Sequence, residues 1–272
     1  MTRPRLVATD LDGTALRTDG TISPRTAAAF ALVERAGALL VFVTGRPPRW
    51  MSAVAAAVHH RGLAICANGA LVYDLHTEAV VESHLIASGV LREAVAALRD
   101  RMPALAFSAE YAGGFAREAR FRPDGRDSRT PEGPAVDDSG LVARPCAKLL
   151  AQDLTMAPDH LLTVVHDVVG HLVTATHSSR GDGIIEMSAR GVTKATSLAA
   201  LARRHGITAR EAVAFGDMPN DLPMLAWAGT AYAVANAHPR VLAAVDQVTA
   251  ANDEDGVAAV LERLYSAVQP LP

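Results

Sequence analysis

Two carboxylates stand two residues apart at the end of an apolar run near the amino terminus: Leu6-Val7-Ala8-Thr9-Asp10-Leu11-Asp12-Gly13-Thr14. The run reads as a buried strand, and Gly13 as the turn that leaves it. At the carboxyl end of a parallel strand, loops open into the crevice where such sheets bind ligands. Paired carboxylates there attract a hard divalent cation such as Mg²⁺, which takes oxygen ligands. With a cation beside it, an Asp oxygen can approach an anionic phosphorus and attack it; aspartyl-phosphate formation is an established form of covalent catalysis. Taken alone, Asp10 and Asp12 serve equally well as turn and cap residues.

Other chain segments end in the same way. Ala38-Leu39-Leu40-Val41-Phe42-Val43 is an unbroken apolar run followed by Thr44-Gly45-Arg46. Ala212-Val213-Ala214-Phe215 is followed by Gly216-Asp217, and Lys194 falls in the first turn of a helix expected over 193–205. A phosphate needs donors and a cation. Thr44 offers a hydroxyl, Gly45 an approachable backbone N–H, Lys194 a compact charge and Asp217 a further carboxylate.

With these pieces in chain order, the sequence resembles the haloacid dehalogenase-like phosphohydrolases. The matching segments are Asp10-Leu11-Asp12-Gly13-Thr14, Val43-Thr44-Gly45-Arg46, Lys194 and Gly216-Asp217-Met218-Pro219-Asn220-Asp221. Ile185-Glu186-Met187, Asn236-Ala237 and Asn252-Asp253-Glu254-Asp255-Gly256-Val257 are similar to the Cof-type group, which carries a large cap between its second and third motifs. Ala195 stands where that group usually has Gly, and Met218-Pro219 where its loop often has Gly.

The resemblance implies roles. Asp10 is the nucleophile, and Asp12 the general acid for the leaving group and then the base for water. Thr44 and Lys194 hold the phosphoryl oxygens, with Gly45 adding backbone; Arg46 and Asn220 are assigned to the substrate. Mg²⁺ is the implied cofactor, met by the carboxylates of Asp10 and Asp217 and the backbone carbonyl of Asp12, with Asn220 and Asp221 orienting the lysine and the metal shell.

The elements that must position these residues alternate. A Ser23 cap, Pro24 and Gly37 bracket a helix, Pro47-Pro48 opens another over 49–61, and Leu63-Ala64-Ile65-Cys66 forms a third strand before Asn68-Gly69, read as a structural turn. Strand, helix and strand in succession predict an α/β fold with a doubly wound parallel sheet and right-handed crossovers. The rhythm changes near residue 80 and returns near 193. We therefore expect a Rossmann-like core from 1–82 and 187–272, with an inserted α+β cap over 83–186. The stretch 121–139 reads as a long exposed loop. Arg117, Arg120, Arg144 and Lys148 are candidate cap contacts to the leaving group.

Composition narrows the partners. Half of the 272 residues are hydrophobic, a fifth are charged, and the formal charge is −3, which supplies a core and argues against nucleic acid. The ten histidines form no HExxH pattern, and Cys66 and Cys146 belong to no CxxC pair. Trp50 and Trp227 read as core or seam anchors. No apolar run approaches membrane-spanning length, so the expected setting is cytoplasmic, without a membrane partner; the oligomeric state stays open. The expected function is an Mg²⁺-dependent phosphatase of small phosphorylated metabolites. Two alternatives stay open: a phosphomutase using the same intermediate, and a non-catalytic module phosphorylated on Asp.

Overall fold

The computed structural model describes residues 3–122, 135–177 and 183–265. The chain divides into two compact units, one of Met1–Val81 and Lys194–Pro272, the other of Glu82–Thr193.

In chain order the first unit begins with β1 (Leu6–Thr9), α1 (Pro24–Arg35), β2 (Leu39–Val43), α2 (Ser52–Ala57), β3 (Leu63–Cys66) and β4 (Leu71–Asp74). It is left at β5 (Ala79–Ser83). The second unit holds α3 (Ser88–Arg101), β6 (Ala106–Tyr111), β7 (Gly114–Arg117), α4 (Asp138–Leu141), β8 (Lys148–Gln152), α5 (Pro158–Val169), β9 (Val173–Thr176) and β10 (Ile184–Ala189). The first unit resumes with α6 (Lys194–Arg204), β11 (Ala212–Gly216), α7 (Leu222–Trp227), β12 (Thr230–Val234), α8 (Pro239–Leu242), β13 (Val248–Thr249) and α9 (Gly256–Tyr265).

The large sheet has the order β13-β12-β11-β1-β2-β3-β4-β5. Pairing from β13 to β3 is parallel, and β4 returns antiparallel to β3. All four residues of β1 are buried, as a strand covered on both faces requires. Thr9 lies opposite both Phe42 and Phe215, so β1, β2 and β11 end at one level. The chain runs from β1 outward to β2 on one side and later to β11 on the other. That reversal is the topological switch point, and the crevice opens at the carboxyl ends there.

Local chemistry sets the element ends. Ser23 accepts from the Thr26 N–H and caps α1, with Pro24 in the first turn. Phe30 of α1 meets Phe42 of β2 edge-on at 5.3 Å, fastening the helix to the sheet. The second helix is shorter than the expected 49–61. A 3₁₀ turn over Pro48–Trp50 precedes it, and His59 and His60 turn into the left-handed region with φ of 54° and 56°.

In the second unit the sheet order is β7-β6-β8-β10-β9, antiparallel throughout. One face is apolar, with Phe107, Leu149, Ile185 and Met187 joined in one core to Leu91 and Leu98 of α3 and Leu161 and Val165 of α5. The alternate positions carry the polar side chains Ser108, Glu110, Lys148 and Glu186. The expected boundary at residue 187 cuts through β10. That strand continues to Ala189, because Ser188 and Ala189 pair with Thr174 and Val173 of β9. Residues 187–193 therefore go with the second unit. Most of 121–139 lies outside the described residues; its carboxyl end forms α4, capped by Asp137. Among the described residues, no helix is long and apolar enough to cross a membrane.

Candidate active site

Asp10 follows β1 directly, and its backbone N–H donates to Phe215 O of β11 at 3.0 Å. Asp217 lies two residues beyond Phe215, on the loop after β11. Lys194 opens α6 and is 2% exposed. Its Nζ donates to Asp10 Oδ1 at 2.6 Å and to Asp221 Oδ1 at 2.7 Å. The carboxylates of Asp10, Asp217 and Asp221 are buried and each offers an oxygen within 4.8 Å of the others. Residues from both ends of the chain thus converge on one point.

Each carboxylate is held. Asp221 Oδ2 accepts the backbone N–H groups of Asp217 and Met218, both at 3.0 Å, while Oδ1 takes Lys194. Asp221 therefore acts as a brace between the loop after β11 and the lysine. Asp217 Oδ1 accepts from Thr14 Oγ1 at 3.0 Å. Gly13 gives the loop room: its φ is +77°, and a Cβ there would stand 2.6 Å from Asp217 Oδ2. Gly216 is equally constrained, since a Cβ would meet that of Asp221 at 2.6 Å.

Electrostatics mark the cluster as short of positive charge. Burial pushes the Asp10 carboxyl well above the usual carboxylate range; Lys194 opposes this, and Asp221, Asp217 and Asp12 add to it. Burial alone would pull the Lys194 ammonium down, but Asp10 and Asp221 outweigh it and hold it above the ordinary lysine value. The two shifts thus share a sign for different reasons: burial dominates at Asp10, and the paired carboxylates of Asp10 and Asp221 dominate at Lys194. The carboxylates of Asp10, Asp217 and Asp221 could hold a cation in addition to the ammonium.

Thr44, buried at the end of β2, accepts from the Arg46 N–H at 3.0 Å. Gly45 lies between them on the same loop. Asp12 projects from the turn after β1, its side chain 41% exposed, and is paired with Arg46. Asn220 is buried and donates through Nδ2 to Asn68 Oδ1 at 3.3 Å.

For several residues named in the sequence, the structure adds a supporting role at the site that the sequence does not give. The turn Ala67–Gly69 is read there as a plain structural turn, yet it joins the loop after β2, α6 and, through Asn68, the loop carrying Asn220. Ala67 N–H donates to Arg46 O, Asn68 N–H to Thr44 O, and Gly69 O accepts from Ser197 Oγ of α6 at 2.7 Å. Ala67 and Asn68 adopt φ of 50° and 57°, which the dipeptide Asn68-Gly69 signals as a turn but not as a joint. Asn236 Nδ2 donates to Gly13 O at 2.7 Å, and Asn252 Nδ2 to Leu16 O at 2.9 Å. These asparagines brace the loop that carries Asp10 and Asp12.

The four basic residues suggested as cap contacts all have partners inside their own unit. Arg120 pairs with Glu118 at 3.0 Å, Lys148 with Glu186 at 2.5 Å, and Arg144 lies 3.9 Å over the Tyr111 ring. Arg117 donates to Phe121 O at 3.3 Å.

A family model described as haloacid dehalogenase-like hydrolase matches residues 7–261. The 5-amino-6-(5-phospho-D-ribitylamino)uracil phosphatase YitU of Bacillus subtilis (strain 168) is 25% identical over 273 residues, covering 97% of this chain and 99% of its own. The pyridoxal phosphate phosphatase YbhA of Escherichia coli (strain K12) is 26% identical over 267 residues, covering 93% and 96%. Among solved structures, the phosphatase BT1666 from Bacteroides thetaiotaomicron aligns with a TM-score of 0.80 at 25% identity, over 96% of this chain and 95% of that one. The chain belongs to the haloacid dehalogenase-like hydrolases. Within them it is a phosphoric monoester hydrolase of the Cof type.

Proposed function

We propose that the protein is an Mg²⁺-dependent phosphatase acting on small phosphorylated metabolites, of sugar-phosphate or cofactor type, through an aspartyl-phosphate on Asp10. The observation that carries this reading is the contact of Lys194 with both Asp10 and Asp221, beside Asp217. It puts an ammonium against the oxygen-rich end of β1, where an anionic ester could be received. The named relatives that span nearly the whole chain act on a phosphoribityl compound and on pyridoxal phosphate, which supports the substrate class.

The donor set fits a hard cation: it is oxygen only, buried and carries surplus negative charge. Asp10, Asp217 and the Asp12 backbone carbonyl would hold it, while Asp221 stays committed to Lys194 and to the backbone. When bound, Mg²⁺ supplies the charge that lets a carboxylate approach a phosphate dianion.

This chain's own residues do the rest. Lys194 and the Thr44 hydroxyl hold phosphoryl oxygens, and Gly45 adds its N–H. A carboxylate oxygen of Asp10 bonds to phosphorus as the bond to the ester oxygen breaks, and Asp12 gives that oxygen its proton. Asp12 then takes a proton from water as the water oxygen bonds to phosphorus. The Asp10–phosphorus bond breaks, and orthophosphate leaves. Acid–base help of this kind contributes about 10²–10⁴-fold. We assign substrate selection to the second unit, and a cytoplasmic setting, in which the buried thiols of Cys66 and Cys146 stay reduced.

The test is phosphate release from a panel of phosphorylated metabolites with and without EDTA. EDTA-sensitive release of orthophosphate is expected. An isomerised ester without free phosphate would indicate a mutase, and no reaction on any ester would contradict the proposal.

A further inference from the structure

The sequence assigns Arg46 to the substrate, but in the structure its guanidinium is occupied by another residue. Arg46 Nε donates to Asp12 Oδ2 and Nη2 to Asp12 Oδ1, both at 2.7 Å. Two prongs of the fork therefore hold the two oxygens of one carboxylate. The backbone of Arg46 is fixed as well: its N–H donates to Thr44 Oγ1 at 3.0 Å and its carbonyl accepts from Ala67 N–H at 2.9 Å. The fork thus projects from a braced loop, while Asp12 projects from a turn and is more exposed, 41% against 18%. Bidentate pairing fixes direction as well as distance, which a lysine cannot do.

We infer that Arg46 is a positioning residue for Asp12, aiming the carboxylate that exchanges protons with the leaving oxygen and with water, and not a ligand of the substrate. The inference rests on the reading of Asp12 as the acid–base group. A side chain that only aims another acts on turnover, because misplacing a reacting group by about 1 Å costs on the order of 10²-fold. A substrate ligand acts on KM.

Steady-state kinetics on p-nitrophenyl phosphate and on a sugar monophosphate decide between the two. The proteins compared are the wild type, Arg46→Met, Arg46→Lys, Asp12→Asn and the double variant Asp12→Asn/Arg46→Met, each checked for folding by thermal melting. Arg46→Met is expected to lower kcat about 10–100-fold with KM within about twofold. Arg46→Lys is expected not to restore it, and the double variant to fall no further than Asp12→Asn alone. A raised KM with kcat kept, rescue by lysine, or losses that multiply would overturn the inference while leaving the phosphatase reading intact. Should Asp12→Asn turn over too slowly to measure, the split between KM and kcat and the lysine variant decide. A wild type that hydrolyses neither ester overturns both readings.

Discussion

Lys194 Nζ lies 2.6 Å from Asp10 Oδ1, although 184 residues separate the two in the chain. The contact depends on the sheet: β1 carries Asp10, and α6 delivers the lysine where the chain returns to the first unit. Removing one member of a buried ion pair leaves uncompensated charge, at a typical cost of about 3–5 kcal/mol. Lys194→Met should therefore lower the melting temperature measured without divalent cations and reduce kcat at least about 10²-fold. Unchanged melting and turnover would remove the lysine from the site.

Gly13 allows the loop after β1 to pass close to Asp217. Gly13→Ala combines a strained φ of +77° with a Cβ 2.6 Å from Asp217 Oδ2, so Asp217 must move. We expect the Mg²⁺ concentration for half-maximal activity to rise about tenfold or more, as perturbed support of a ligand typically costs 10–100-fold. Titration of activity with MgCl₂ checks this, and an unchanged midpoint would contradict it.

Glu211 ties together the starts of the two strands that deliver Asp10 and Asp217. It accepts from the Thr208 backbone N–H, from Arg5 Nη1 at 3.0 Å and from the Thr208 hydroxyl, and these bonds hold its carboxyl down at about 2. A carboxyl depressed in the folded state stabilises above its unfolded value, 4.5, and loses that contribution as pH falls toward 2. The melting temperature of Glu211→Gln should fall below that of wild type at pH 7. The gap should narrow between pH 4.5 and 2; a gap that widens on acidification would show the sign to be wrong.

The framework of the candidate site is legible in the sequence because short apolar runs, ended by Asp, Thr-Gly or Gly-Asp, encode buried parallel strands and their loops. Other features depend on partners that a linear reading does not show. β4 is only four residues long and is defined by its pairing with Leu63–Cys66. β7 begins at Gly114, a poor strand former, and exists because Ser108–Tyr111 pair with it. The end of β10 at Ala189 is set by β9, which is why the expected boundary falls short. The Arg46–Asp12 pair needs β1 and β2 in register, since the two residues are 34 apart in the chain. The role of Asn68 requires knowing that three loops meet over it.

Both thiols are enclosed. Cys66 is 0% exposed on β3, and burial pushes the Cys146 thiol up to about 12. Because the thiolate is the reactive species, neither should react with a disulfide reagent in the native protein at pH 8. Both should react after denaturation in guanidinium chloride. Rapid modification of a native thiol would contradict the packing of β3 or of the segment before β8.

The assignment of Asp10 as the nucleophile is tested most directly by the kcat of Asp10→Asn on the best ester found for the wild type. This change keeps the shape of the side chain and removes its attacking carboxylate. We predict that turnover falls by at least about 10⁴-fold while the thermal transition stays cooperative, as expected when a covalent nucleophile is lost. Turnover within tenfold of wild type would contradict the aspartyl-phosphate route.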